Sequence, residues 1–240
     1  MQVSVFIPCF IDQLFPQTGE NFIQLLQKAG CTTQYNPEQT CCGQPSYNSG
    51  YTAETQAMAR KFLKDFAGED IIVSPGGSCT GFVKRHYASL FDTQNEKEQA
   101  QALGTRMYEV CDFLVNHLKI TDVGAEFPAK VCVHDACAAL REYGLRNEPR
   151  QLLANVKGLE IVEMPESDTC CGFGGTFSVK QPAISQAMVE QKVHNAIESG
   201  AEYITSTEAS CLMNIAAYIE KNNCPIKAIH IIDILVGKKI

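Results

Sequence analysis

The tetrapeptide Thr-Cys-Cys-Gly occurs twice, as Thr40-Cys41-Cys42-Gly43 and as Thr169-Cys170-Cys171-Gly172. With these as register the flanking sequence falls into two aligned copies, which restricts the chain to an architecture that two like units can build. Val3-Ser4-Val5-Phe6-Ile7-Pro8-Cys9 lies over Val131-Cys132-Val133-His134-Asp135-Ala136-Cys137. Asp70-Ile71-Ile72-Val73-Ser74, leading to Ser78-Cys79, lies over Glu202-Tyr203-Ile204-Thr205-Ser206, leading to Ser210-Cys211. Gln56-Ala57-Met58-Ala59 matches Gln186-Ala187-Met188-Val189, and Asp112-Phe113-Leu114-Val115 matches Asp233-Ile234-Leu235-Val236. Cys9 precedes Cys41 by 32 positions and Cys137 precedes Cys170 by 33, while Cys42 to Cys79 spans 37 and Cys171 to Cys211 spans 40. Surface loops absorb differences of that size.

Each copy alternates strand and helix. An apolar or alternating run (3 to 7; 130 to 134) reads as a strand and is followed by a helical pattern (about 18 to 29; about 147 to 156) and a short strand (about 32 to 36; 159 to 164). After Thr-Cys-Cys-Gly comes a longer helix, with Ala57, Met58, Phe62, Leu63 and Phe66 in one copy and Ala187, Met188, Val193 and Ile197 in the other. A strand (71 to 74; 203 to 206) then leads to the last cysteine. The expected fold is α/β: two pseudo-two-fold related βαβ repeats, each with a small parallel sheet and cysteine loops at the strand ends. The expected division is 1–124 and 125–240, with the boundary in the Gly- and Pro-containing stretch Thr121 to Pro128. Open parallel sheets bind ligands beyond the carboxyl ends of their strands, so the three cysteine loops of a copy should converge.

The repeat sorts the 12 cysteines into two kinds. Cys9, Cys41, Cys42, Cys79, Cys137, Cys170, Cys171 and Cys211 recur; Cys31, Cys111, Cys132 and Cys224 do not, and are read as small buried apolar residues. Core cysteines seldom come as matched sets of four, so metal ligation outweighs packing or disulfides for the recurring eight. Four thiolates suit tetrahedral zinc or an iron-sulfur cluster, and sulfur count alone does not choose. Structural zinc usually uses C-x(2–4)-C knuckles, whereas adjacent thiols point apart and more naturally reach two metals of one cluster. Gly43 and Gly172 let backbone come close to such a centre, where their N–H groups can bond sulfur.

Composition narrows the rest. Net charge is −7, and no run of Lys and Arg offers the basic surface that nucleic acid requires. The start MQVSVFIPCF reads as a strand rather than a secretory signal, and the apolar stretch Ile226 to Gly237 holds His230 and Asp233. It falls short of the roughly 20 residues that cross a bilayer, so no transmembrane segment and a cytoplasmic location are expected. A reducing cytosol favours metal or redox roles for so many thiols. No P-loop or dinucleotide fingerprint occurs, Gly172-Phe173-Gly174-Gly175 lacking its strand and helix context. Flavin or nicotinamide chemistry is therefore not expected in this chain.

These motifs resemble the cysteine-rich CCG domains of the heterodisulfide reductase B chain and the glycolate oxidase iron-sulfur subunit, and most of all the two-copy lactate-utilisation protein A family. The resemblance rests on Ile7-Pro8-Cys9-Phe10, Thr40-Cys41-Cys42-Gly43-Gln44-Pro45 and Ser74-Pro75-Gly76-Gly77-Ser78-Cys79. In the second copy it rests on His134-Asp135-Ala136-Cys137, Cys170-Cys171-Gly172-Phe173-Gly174-Gly175 and Ser210-Cys211-Leu212-Met213. It implies an iron-sulfur electron-transfer subunit, without flavin, of an oxidoreductase complex that oxidises L-lactate to pyruvate with a ferredoxin-like B subunit and a C subunit. It also implies one or two iron-sulfur clusters, for which four thiols per copy support the [4Fe-4S] type, with zinc as the alternative at one site. A zinc-stabilised scaffold or a thiol/disulfide redox protein are the other readings. In the heterodisulfide reductase proteins a further cysteine follows the last by three positions; here those positions are Phe82 and Asn214, which leaves four thiols per copy.

His134 and Asp135 stand beside Cys137 and align with Phe6 and Ile7, so they lie outside the repeated ligand set. An imidazole there can shuttle protons, take a ligand position or simply hold structure. Arg85 and Arg141 follow ligand loops and are candidates to offset thiolate charge, while His86, His117, His194 and His230 read as structural.

Overall fold

The computed structural model describes residues 1–68 and 70–237. It contains two four-stranded parallel sheets of identical topology. The first is built from β1 (Gln2–Val5), β2 (Thr32–Tyr35), β3 (Ile71–Ser74) and β4 (Met107–Glu109), in the order β2-β1-β3-β4. The second comprises β5 (Glu126–Val133), β6 (Lys157–Ile161), β7 (Tyr203–Ser206) and β8 (Lys227–His230), in the order β6-β5-β7-β8. Register repeats too: Val3 pairs with Ile71 in one sheet, and the aligned Val131 pairs with Tyr203 in the other. The α/β, two-repeat expectation is met.

The fourth strand of each sheet went unseen in the sequence. Met107–Glu109 and Lys227–His230 are three or four residues long and run straight into helical turns, so no period of two could develop. The connection between copies is also shorter than expected. Phe127 and Pro128 belong to β5, where the register with β6 shifts between Glu126 and Ala129. An irregularity of that kind is where a central strand tolerates proline, which has no N–H for the ladder.

One core runs across both repeats. Val3, Val5, Phe22 and Leu25 of the first copy share it with Val131, Ile204, Ile231 and Leu235 of the second. The exchange is reciprocal: helix Pro16–Lys28 of the first copy packs on Ile231–Leu235, and its counterpart Asn147–Leu153 packs on Val110–Asp112 and the π-helical turn Phe113–His117. Asp233 accepts hydrogen bonds from Thr18 Oγ1 at 2.9 Å and Asn21 Nδ2 at 2.7 Å across that contact. A smaller aromatic core of Phe6, Phe62, Phe66, Phe82 and Tyr87 fills the outer side of the first sheet.

Candidate functional site

In the order β2-β1-β3-β4 the connection reverses direction between β1 and β3, and a crevice opens there beyond the strand ends. Cys9 follows β1 as the first residue of helix Cys9–Leu14, and Cys79 lies in the first turn of helix Gly77–Leu90 after β3. Cys137 and Cys211 stand in the same relation to β5 and β7. The loops after β2 and β6 bring the vicinal pairs. The sulfurs of Cys42 and Cys79 lie 3.3 Å apart, and all 12 cysteines are free thiols. Electrostatic couplings between neighbouring sulfurs run Cys9 to Cys41, Cys41 to Cys42 and Cys42 to Cys79. In the second copy they run Cys137 to Cys170, Cys170 to Cys171 and Cys171 to Cys211. Each recurring set thus comes together within its own copy.

The vicinal turn has the same geometry twice. Gly43 at φ +91° and Gly172 at φ +84° occupy the left-handed region, and each donates its N–H to the first cysteine of its pair, to Cys41 Sγ and Cys170 Sγ at 3.4 Å. The second cysteine is held through its carbonyl: Tyr87 Oη donates to Cys42 O at 2.6 Å, and Asn214 Nδ2 donates to Cys171 O at 2.9 Å. Asn214 therefore holds the Cys171 backbone. Phe82 is buried in the aromatic core, 5.1 Å from the Tyr47 ring centroid.

Crowding of the sulfurs dictates their protonation. Hydrogen bonds from Cys42, Cys9 and the Gly43 N–H pull Cys41 down to about 3, and those from Cys137, Cys171 and Gly172 pull Cys170 down to about 2. Their neighbours move the other way. Cys9 is pushed up by sharing its proton with Cys41 and by burial, Cys42 by Cys41 and Cys79, Cys137 by Cys170, and Cys171 by Cys170 and Cys211. Negative charge on one sulfur forbids it on the next. A bound cation removes that conflict and lets the remaining thiols ionise, so the donor set fits a thiophilic metal or cluster.

The second copy adds what the first lacks. His134 and Phe6 occupy one backbone position, His134 N donating to Thr205 O at 2.7 Å and Phe6 N to the aligned Val73 O at 3.0 Å. Phe6 packs on Phe62, ring centroids 4.8 Å apart. His134 instead brings a ring nitrogen to within 4.8 Å of the Cys171 and Cys211 sulfurs. Hydrogen bonding from Cys171 draws Cys211 down to about 7 against the opposing effect of burial. Asp135 does not face the sulfurs. Its carboxylate accepts two hydrogen bonds from Arg150, at 2.7 and 2.9 Å, and one from Ser167 Oγ at 2.8 Å. Burial opposes ionisation of Asp135, but these bonds prevail and hold it below the ordinary carboxylate range.

The two sets share the seam between copies. Helix Gly77–Leu90 lies on the π-helical turn Ala139–Tyr143 that follows Cys137, and helix Cys9–Leu14 touches helix Ala209–Lys221 that carries Cys211. The Phe10 ring meets Phe173 edge-on at 5.4 Å, and the buried Glu208 accepts from Ser78 N at 2.9 Å and from Ser210 Oγ at 3.2 Å. Glu208 was missed in the sequence because its aligned partner is Gly76, so the repeat gave no signal. Of the non-recurring cysteines, Cys31, Cys111 and Cys132 are buried as expected, whereas Cys224 is half-buried. Arg85 and Arg141 are exposed, and Arg141 only reaches the Asp168 carbonyl at 3.5 Å.

Duplicated sheets, duplicated vicinal turns and matched sulfur sets agree with comparison to known families. Residues 3–84 and 131–216 each match the cysteine-rich domain called CCG. The chain belongs to the CCG cysteine-rich domain family. Among curated relatives of this CCG protein, one from Bacillus mycoides named Lactate utilization protein A 1 is 44% identical over 237 residues, covering 98% of this chain and 96% of the relative. Lactate utilization protein A of an Exiguobacterium species is 44% identical over 236 residues, covering 97% and 96%. A crystal structure of a hypothetical protein from Helicobacter pylori superposes with a TM-score of 0.62 at 10% identity, covering 100% of this chain and 49% of that one. It shows the fold alone, and the CCG chain spans about half its length. Among the described residues, no helix is long and apolar enough to cross a membrane.

Proposed function

We propose that this CCG protein is the iron-sulfur electron-transfer subunit of a cytoplasmic oxidoreductase complex that oxidises L-lactate to pyruvate, working with a ferredoxin-like B subunit and a C subunit. The lactate assignment is supported by the names of full-length relatives at 44% identity. The single observation that carries the redox reading is the convergence of four sulfurs in each repeat, with one thiol per set held strongly acidic. Cys9, Cys41, Cys42 and Cys79 would hold one centre and Cys137, Cys170, Cys171 and Cys211 the other, so that a division at 124/125 leaves one complete set on each side. A [4Fe-4S] cluster, when bound, would supply a one-electron carrier, so the two electrons that leave each lactate with two protons would pass through it one at a time.

The chain's own residues bind, tune and shield. Gly43 and Gly172 aim N–H donors at sulfur, a contact that stabilises negative charge and raises a centre's potential. Phe6, Phe62 and Tyr87 exclude water behind Cys42. The seam between copies places both sets against each other's helices, as an electron path through one chain requires.

Anaerobically purified protein is expected to be brown and to hold iron and acid-labile sulfide. Colourless protein holding stoichiometric zinc after anaerobic reconstitution refutes the reading. The close grouping of His134, Cys171 and Cys211 favours zinc as the second reading for the second site, because ligands of one ion bonded at about 2.3 Å lie roughly 4 Å apart. Metal analysis of cysteine variants in each repeat separates the two.

A further inference from the structure

The two sites are built on one backbone but do not offer the same donors. We infer that His134 is a fifth ligand of the second centre, bonding metal through Nε2, and that the first centre has no equivalent. The inference rests on the metal-binding reading above and goes beyond it, since a four-thiol set would be complete without an imidazole.

Three observations fix the histidine for this role. First, its Nδ1 lies 3.3 Å from the Ser167 carbonyl. A carbonyl only accepts, so Nδ1 carries the proton and the Nε2 lone pair is left free in the neutral ring. Second, Nε2 is buried without any hydrogen-bond partner, in a residue only 1% exposed. An orphaned acceptor of that kind is costly unless something else occupies it. Third, the free nitrogen belongs to a residue grouped with the sulfurs of Cys171 and Cys211 within 4.8 Å.

The surroundings hold the ring in place. Ser167 O also accepts from Asp135 N at 3.0 Å and Lys192 Nζ at 3.3 Å, and Asp135 is clamped by Arg150 and Ser167 Oγ. A carbonyl fixed from several sides and bonded to the far nitrogen is the usual arrangement by which proteins orient a metal-ligating histidine. At the same backbone position in the first copy Phe6 offers no donor and packs into the aromatic core. The second site therefore has a harder, nitrogen-containing donor set and the first a purely sulfur one. A neutral imidazole added to the four thiols brings no further negative charge, so the two centres differ in donor type and not in thiolate count.

The test uses the full chain, loaded anaerobically, as wild type, H134F and H134C. H134F installs the residue that the fold already carries in the first copy; H134C restores a ligand without nitrogen. Metal and sulfide are quantified first, and the first shell is then read by nitrogen hyperfine coupling on the reduced protein grown with 15N-histidine, or by imidazole scattering in X-ray absorption if the metal is zinc. Wild type should show one metal-bound nitrogen. H134F should lose it and bind metal at one centre roughly 10–100-fold more weakly while the other is retained. H134C should lose the nitrogen signal yet retain metal at both. Metal bound at both sites with no histidine nitrogen in wild type, or a nitrogen signal that survives in H134F, overturns this inference alone. Absence of metal from the cysteine sets overturns it together with the reading on which it rests.

Discussion

Glu109 should make this protein lose stability as pH rises, in a window that one substitution can remove. Its carboxyl is fully buried, and burial pushes it up to about 8 from an ordinary 4.5. Oε2 accepts from Cys111 N at 2.6 Å and Asp112 N at 3.2 Å, capping the turn that follows β4, while Oε1 has no partner. Between pH 4.5 and about 8 the folded chain keeps a proton that the unfolded chain gives up. Stability therefore falls with rising pH across that window and no further above it, at about 1.4 kcal/mol per pH unit and on the order of 5 kcal/mol in all.

Its repeat counterpart works in the opposite sense. His230 stands three residues before Asp233 as Glu109 does before Asp112, and it caps its turn by accepting from Ile232 N at 3.3 Å. Burial lowers its ring to about 4 from 6.5, so stability falls as pH drops from 6.5 towards 4. From 4.5 to 6.5 the two slopes cancel; above 6.5 only Glu109 acts. E109Q keeps the capping oxygen and mimics the neutral acid. Urea midpoints of wild type and E109Q, measured anaerobically from pH 5 to 8.5, should give a difference curve that favours the variant by about 1.4 kcal/mol more with each pH unit, levelling near 8. Thiol ionisation is common to both proteins and cancels in the difference. An unpaired amide donor would shift the whole curve by about 1–3 kcal/mol without altering its slope. A flat difference would refute the assignment of a neutral carboxyl.

The two vicinal turns should respond unequally to alanine. At Gly172 a Cβ would stand 2.5 Å from the Ser185 carbonyl oxygen, whereas at Gly43 its nearest neighbour is Met58 Cβ at 3.4 Å. G43A should lose about 1 kcal/mol from left-handed strain, and G172A several-fold more together with metal from the second set, read by melting and metal content. D135N should lose about 3 kcal/mol by leaving Arg150 half-paired, and should loosen Ser167 beneath His134. Chemical denaturation measures the first effect, and the nitrogen signal of the loaded protein the second.

Repetition made the cysteine sets legible, because recurrence separates eight thiols from the other four without any knowledge of contacts. The same logic located the central strands, whose apolar runs such as Ile71–Ser74 are buried and short. It failed where the copies differ. Glu208 faces Gly76 in the alignment and Glu109 faces His230, so comparison of copies gave no reason to single them out, although all but Gly76 are buried polar groups. The seam was illegible for another reason: Gly77 and Gly81 let the helix approach Ala139 and Glu142, a Cβ at Gly77 lying 2.5 Å from Ala139 Cβ. Close approach between distant segments leaves no periodic trace.

The copies differ in chemistry at the carboxyl ends of three pairs of equivalent strands. Phe6 became His134, Gly76 became Glu208 and Glu109 became His230, and each pair sits at the carboxyl end of an equivalent strand. The vicinal turns, by contrast, keep one solution in both copies. A two-fold seam, however, brings unlike neighbours to like positions only if the copies differ, and Glu208 illustrates the gain. Its carboxyl binds the backbone beside Cys79 and the side chain beside Cys211, a bridge that a glycine at the same place could not supply. A histidine beside one set of sulfurs and a phenylalanine at the same place beside the other give the two sets unlike surroundings, and a shared buried carboxyl ties the loops of both into one rigid unit.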